Sequence, residues 1–217
     1  VSGHTYRVRH QTVYEYSSDV SDGYSVVHLL PRQTPHQQVL DSSVVSRPLA
    51  DELDERVDVF GNRVVQLGLH RPHARFEVTS LSRVRTIVPR VDGPSAPWEE
   101  VAGAGAALVG EPAIDIGPML ARTRSVRVVA GAAALDELAG SAFRPGRPVL
   151  EALRALCHEI HTDFTFDPTA TDITTDVDEV LAHRGGVCQD FAHLAIAACR
   201  SRGLAARYVS GYIETDP

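Results

Sequence analysis

Long apolar runs are missing from this chain of 217 residues. None reaches the roughly 20 residues that a helical membrane span needs, so no membrane partner is expected. No signal peptide is visible in a chain that starts at Val1 rather than Met. Cysteine is scarce, with three residues, an odd number for a disulfide framework. Cys188 and Cys199 stand eleven residues apart. On one helix that is nearly the same face but roughly 16 Å along the axis, too far for a disulfide. Cys157 leaves pairing with either partner geometrically open. So few cysteines suit a reducing cytoplasm. Excess charge of one sign is small: the formal charge of −7 is mildly acidic and excludes nonspecific nucleic-acid binding as a leading function. There is no calcium loop of the EF-hand kind, no internal repeat and no low-complexity segment.

What is there is enough apolar residue, 43%, to bury a sizeable core in one large or two small domains. Residues 1–90 read as strands. Tyr6, Val8, Val13, Tyr14 and Tyr16 form β-rich pieces, and Val26 to Leu30 is a short apolar run stopped by Pro31. Val57 to Phe60 and Arg63 to Leu67 read as a hairpin around a two-residue Gly61-Asn62 turn. Apolar and polar residues alternate from Phe76 to Val88, a long half-buried strand. These pieces predict an antiparallel β-sandwich. Residues 91–146, rich in Pro, Gly and Ala, read as a connector whose best helical piece is Ala132 to Leu138.

Residues 147–217 open with an amphipathic helix, Val149 to His161, with Leu150, Leu153, Leu156, Cys157 and Ile160 on one face. Phe164 and Phe166 belong to a packed extended segment, and Thr169 to Thr175 is a polar loop. Asp176 or Asp178 can cap a short helix. Ala206 to Ile213 reads as a strand. Between them lies the stretch that carries chemistry, Arg184-Gly185-Gly186-Val187-Cys188-Gln189-Asp190-Phe191-Ala192-His193. Two glycines make a flexible turn. A largely apolar helix follows, with Phe191, Leu194, Ala195, Ala198 and Cys199 at helical spacing and Gly203 at the C-cap. Cys188 is its first or second residue, where unpaired N–H groups and the helix dipole favour a thiolate nucleophile. The same N–H groups could hold an oxyanion. Alone, the pattern also fits a small core cysteine.

The segments Gly185-Gly186-Val187-Cys188-Gln189-Asp190-Phe191-Ala192-His193-Leu194 and Cys199 to Tyr212 resemble the transglutaminase-like superfamily, in particular its bacterial branch with a β-rich N-terminal domain. Tyr6-Arg7-Val8-Arg9-His10, Leu30-Pro31-Arg32, Asp58 to Asn62 and Pro72-His73 resemble that N-terminal domain. The resemblance implies an α+β chain: a β-sandwich, then a papain-like helical core that begins an antiparallel sheet. It implies that Cys188 is the nucleophile of a Cys-His-Asp triad that acts on a protein or peptide substrate without a cofactor. The His and Asp belong to the sheet strands that follow Tyr212, so the chain is expected to be truncated and inactive by itself. An unpaired strand at its end would invite sheet completion by another chain.

Gln189, Asp190 and Tyr212 are candidates for supporting the site: Gln189 as cleft or solvent-facing, Asp190 as a partner for first-turn N–H groups, Tyr212 as packing or cleft wall. His193 lies about 140° round the helix from Cys188 and points away. His183 could fold back toward the cysteine, and the six histidines of the β-region are structural. Cys157, His158 and His161 do not make a metal site, since no fourth ligand is evident. A non-catalytic binding or scaffold module is the alternative reading.

Overall fold

The computed structural model describes residues 3–87, 91, 93–172 and 174–214. The chain forms two compact units, Val1–Asp92 and Gly93–Pro217.

The described residues of the first unit form six strands: β1 (Gly3–Val20), β2 (Gly23–Val27), β3 (Gln37–Arg47), β4 (Glu52–Val57), β5 (Arg63–Leu69) and β6 (His73–Ile87). They build two three-stranded antiparallel sheets, in the orders β1-β6-β3 and β2-β5-β4. Val44, Phe76 and Val78 from the first sheet meet Val65, Leu67 and Leu69 from the second, with Leu30 beside them. The alternation along β6 is the cause: Phe76, Val78, Ser80, Ser82 and Val84 all turn inward. The apolar run at Val26 is the end of β2, and Leu30 is buried beyond it. The hairpin joins β4 to β5, but its turn runs over five residues rather than two. Asp58 accepts from the N–H groups of Phe60 and Asn62, and Gly61 takes φ 77°.

The second unit is helical. Its helices are α1 (Trp98–Ala106), α2 (Glu111–Leu120), α3 (Ala132–Ala142), α4 (Val149–Asp163), α5 (Val177–His183) and α6 (Cys188–Ser201). Helix α6 lies at the centre of the core. Its Leu194 and Ala198 are fully buried among Leu135 and Leu138 of α3, Leu156 and Ile160 of α4, and Val177 and Val180 of α5. The Pro/Gly/Ala-rich stretch therefore contains a core helix, α3. On α4 the buried stripe is Ala152, Leu156 and Ile160, whereas Cys157 is exposed; a stripe of period 3.6 that narrow leaves its flanks in solvent. All three thiols are free.

Two short strands, β7 (Thr165–Phe166) and β8 (Gly185–Gly186), pair in parallel. Phe164, the C-cap residue of α4, is buried, whereas both residues of β7 are exposed and Phe166 faces solvent instead of packing. Asp176, not Asp178, caps α5, accepting from the Glu179 N–H at 3.0 Å. The expected strand at 206–213 has no partner among the described residues, and a strand exists only by pairing. Its start is tied to the core, because the Ala206 N–H donates to the Met119 carbonyl and its own carbonyl accepts from Arg200. Beyond that, Val209 and Ile213 are exposed.

Candidate active site

Cys188 is the first residue of α6 and is exposed, although the body of the helix is among the most buried elements of the unit. The first intrahelical bond runs from the Phe191 N–H to the Val187 carbonyl. The N–H groups of Cys188, Gln189 and Asp190 therefore have no acceptor within the helix and stand at its positive end.

The turn before the cysteine is held rather than flexible. Helix α5 ends at Arg184 in the left-handed region, φ 49°, and the chain then extends through β8. The Thr165 N–H donates to the Arg184 carbonyl and the Asp167 N–H to that of Gly186, both at 2.9 Å. Gly185 and Gly186 are buried.

Asp190 completes the clamp. The residue is 4% exposed, so its carboxylate needs donors from the protein. Oδ2 accepts from the Val187 N–H at 2.8 Å and from the Thr171 hydroxyl at 2.7 Å. The first bond is the acidic half of a capping box; valine at the N-cap has no side-chain acceptor to supply the other half. The second reaches into the polar loop, which is itself organised by Asp167 accepting from Thr169 and Asp172 accepting from Thr174. Thr171 was not visible as a site residue in the sequence. It is nineteen residues from its partner, and one threonine among four between 169 and 175 carries no signal.

Gln189 is exposed beside the thiol. His193 is half-buried and its ring lies 5.4 Å from that of Tyr208; burial holds it below the usual histidine value against the opposing charge of Asp190. His183 is exposed in the last turn of α5. Tyr212 stands in the extended segment after α6, and partial desolvation raises its hydroxyl. Among the described residues no histidine is hydrogen-bonded to the Cys188 sulfur, and no cluster of three metal-ligating side chains occurs.

Known proteins are similar to this chain in sequence and in fold. Residues 6–85 match the family model of the bacterial transglutaminase-like N-terminal region, and residues 136–217 match that of the transglutaminase-like superfamily. An uncharacterized protein of Mycobacterium tuberculosis H37Rv is 39% identical over 221 residues, covering 99% of this chain and 67% of the relative. An uncharacterized protein of Mycobacterium leprae is 29% identical over 209 residues, 96% of this chain and 71% of the relative. The fold is also that of a candidate cysteine protease from Cytophaga hutchinsonii, with a TM-score of 0.68 and 24% identity. That match covers 93% of this chain and 64% of the solved one.

Proposed function

Because the chain belongs to the transglutaminase-like superfamily, we propose that it carries the nucleophile of a thiol enzyme, Cys188, acting on a protein or peptide substrate. The observation that carries the reading is an exposed thiol at the first position of a buried helix whose entry is locked from three sides. Such locking keeps a nucleophile in one position relative to a bound carbonyl.

In the proposed reaction the Cys188 thiolate adds to the carbonyl carbon of a carboxamide or peptide bond. The oxyanion is stabilised by the open N–H groups at the start of α6. The C–N bond then breaks, the leaving amine takes a proton, and a thioester remains. An incoming amine or water attacks that thioester, breaks the C–S bond and returns the thiol. On this reading Gln189 and Tyr212 line the substrate cleft, and Asp190 holds the nucleophile's turn. The base and its orienting acid, a His and an Asp, are proposed to lie in the part of the longer relatives that this chain does not span. Residues 1–217 alone are then expected to be inactive. The three free thiols are consistent with a proposed cytoplasmic location.

The test uses the longest natural form of the polypeptide. Incorporation of a fluorescent amine into a protein substrate and hydrolysis of a peptide library are measured for it and for Cys188→Ala. Loss of both activities in the variant, with abundance unchanged, is the expected result. A variant that retains either one ends the proposal.

The absence of a histidine on the sulfur among the described residues favours a second reading: a binding or scaffold module with this fold. On that reading the exposed segment around Val209 and Ile213 would pair with a strand of another chain. No thioester with any acyl donor would then form on Cys188 in the longest form.

A further inference from the structure

The outward face of the β1-β6-β3 sheet concentrates positive charge. Arg7 of β1 stands directly opposite Arg83 of β6, and the adjoining pairs are Thr5 with Arg85 and Arg9 with Leu81. All six residues are exposed. Like charges placed directly opposite each other on a sheet are destabilising, so this arrangement has a cost for the isolated fold.

Among the described residues only one acid is placed to relieve it. Asp41 of β3, opposite Arg83, accepts from the Arg83 Nε at 2.7 Å. Arg9 donates to the neutral Gln11 side chain. Arg7 and Arg85 have no acid or hydrogen-bond acceptor among the described residues. Four guanidiniums against one carboxylate leave the patch positive in a chain whose net charge is −7. Arg7, Arg9, Asp41 and Arg83 also line a shallow cavity of about 300 Å³ with Leu81 beside them.

We propose that this face is a docking surface for an acidic peptide segment. The strand geometry sets the spacing: Arg7 and Arg9 are two residues apart on one face, about 7 Å, and the cross-strand neighbours are about 5 Å away. Carboxylates at alternate positions of an extended peptide have the same spacing as Arg7 and Arg9. Guanidinium forks bind carboxylates bidentately, which rewards this match in geometry as well as charge. Leu81, 45% exposed at the edge of the arginine patch, offers an apolar contact that suits the methylene groups of a peptide's acidic side chains and not a small anion. The central strand of the patch uses its backbone N–H groups in the sheet ladder, so there is no nest for a lone phosphate. The acidic remainder of the chain would repel a long polyanion such as duplex nucleic acid.

The experiment measures fluorescence anisotropy of a labelled peptide of alternating glutamate and valine, titrated with the whole chain at low and high salt. Expected are saturable binding that weakens with salt, and a loss of at least about tenfold in Arg7→Glu/Arg83→Glu. Arg56→Glu, on the other sheet, should leave the affinity unchanged. The milder Arg7→Gln/Arg83→Gln pair, with its fold checked by circular dichroism, should also weaken binding and covers the case in which charge reversal unfolds the unit. The proposal is overturned if the peptide does not bind, or if the glutamine pair binds as well as the wild type. It is equally overturned if inorganic phosphate or a DNA duplex displaces the peptide at lower concentrations than the unlabelled peptide does.

Discussion

A β-carbon built on Gly186 would stand 2.7 Å from Asp190 Oδ2 and 3.0 Å from the Asp190 β-carbon. Real β-carbons essentially never approach other atoms so closely, so Gly186 is a glycine because a buried carboxylate occupies the space beside it. Gly185, one residue earlier, has only ordinary contacts, the nearest being the Thr165 carbonyl oxygen at 3.6 Å. The pair of glycines thus has unequal jobs, and the one next to Val187 serves the cysteine's helix.

Gly186→Ala should therefore push Asp190 away from the Val187 N–H. A destabilisation of about 1–3 kcal/mol is expected from the steric conflict, while Gly185→Ala should cost clearly less. Urea unfolding of the two variants compares them, and equal costs would contradict the close approach.

Asp190→Ala leaves the Val187 N–H and the Thr171 hydroxyl without their shared acceptor, at an expected cost of about 1–3 kcal/mol. Thr171→Val should remove part of the same interaction. The double variant should then be less destabilised than the sum of the singles, with a coupling of at least about 0.5 kcal/mol. Strict additivity in the double-mutant cycle would mean that the loop is not held through Asp190.

The three thiols should separate by reactivity. Burial pushes the Cys199 thiol up to about 11, with Cys157 nearby adding to the effect, whereas Cys157 and Cys188 are exposed. At neutral pH iodoacetamide should alkylate Cys157 and Cys188 of the native protein and spare Cys199. Peptide mass mapping reads the result. Modification of Cys199 at a comparable rate, without unfolding, would contradict its burial.

Asp178 joins two elements of the helical unit. It accepts from the N–H groups of Val129, Ala130 and Gly131 at 2.7–3.2 Å, just ahead of α3. Burial by itself raises this carboxyl, but the hydrogen bonds from Gly131, Val129 and Ala130, helped by Arg127, outweigh it and hold the group below its ordinary 3.8. A depressed carboxyl contributes stability above that ordinary value, and the contribution disappears as pH falls through the lower folded-state value. Asp178→Asn should cost about 1–2 kcal/mol at neutral pH, and the gap between variant and wild type should close on acidification below about pH 4. Thermal melts across that range check the sign.

In the β-unit, His70 Nδ1 lies 2.6 Å from Asp22 Oδ1, and Glu52 is 3.5 Å from the other ring nitrogen. The bond to Asp22 raises the histidine above its ordinary 6.5, against a smaller opposing effect of desolvation, with the charges of Asp22, Glu52 and Asp51 adding to the rise. Any stabilisation is therefore fully present below the ordinary value and is lost as pH rises through the folded one. NMR titration should place the His70 midpoint above 6.5, and Asp22→Asn should bring it down. An unchanged midpoint in the variant would refute the pairing.

The sequence by itself determined the elements whose residues repeat at short range. The alternation from Phe76 to Val84, the stripe of Leu156 and Ile160, and the run Leu194, Ala198, Cys199 each specify a period, and period decides helix or strand and the buried face. The resemblance marked Cys188 because a nucleophile's neighbours in sequence are also its neighbours at the start of a helix. Tertiary structure alone decided the rest. Whether Gly-Gly is a flexible turn or a clamped strand depends on Thr165 and Phe166, some twenty residues upstream. The partner of Asp190 is one threonine in a loop of several, and Asp178 serves α3 rather than its own helix. Ala206 to Ile213 has the composition of a strand but no neighbour among the described residues to pair with. Hydrogen bonds between distant segments leave no periodic trace in the chain, because any polar side chain of suitable reach can make them once the core has brought the backbones together.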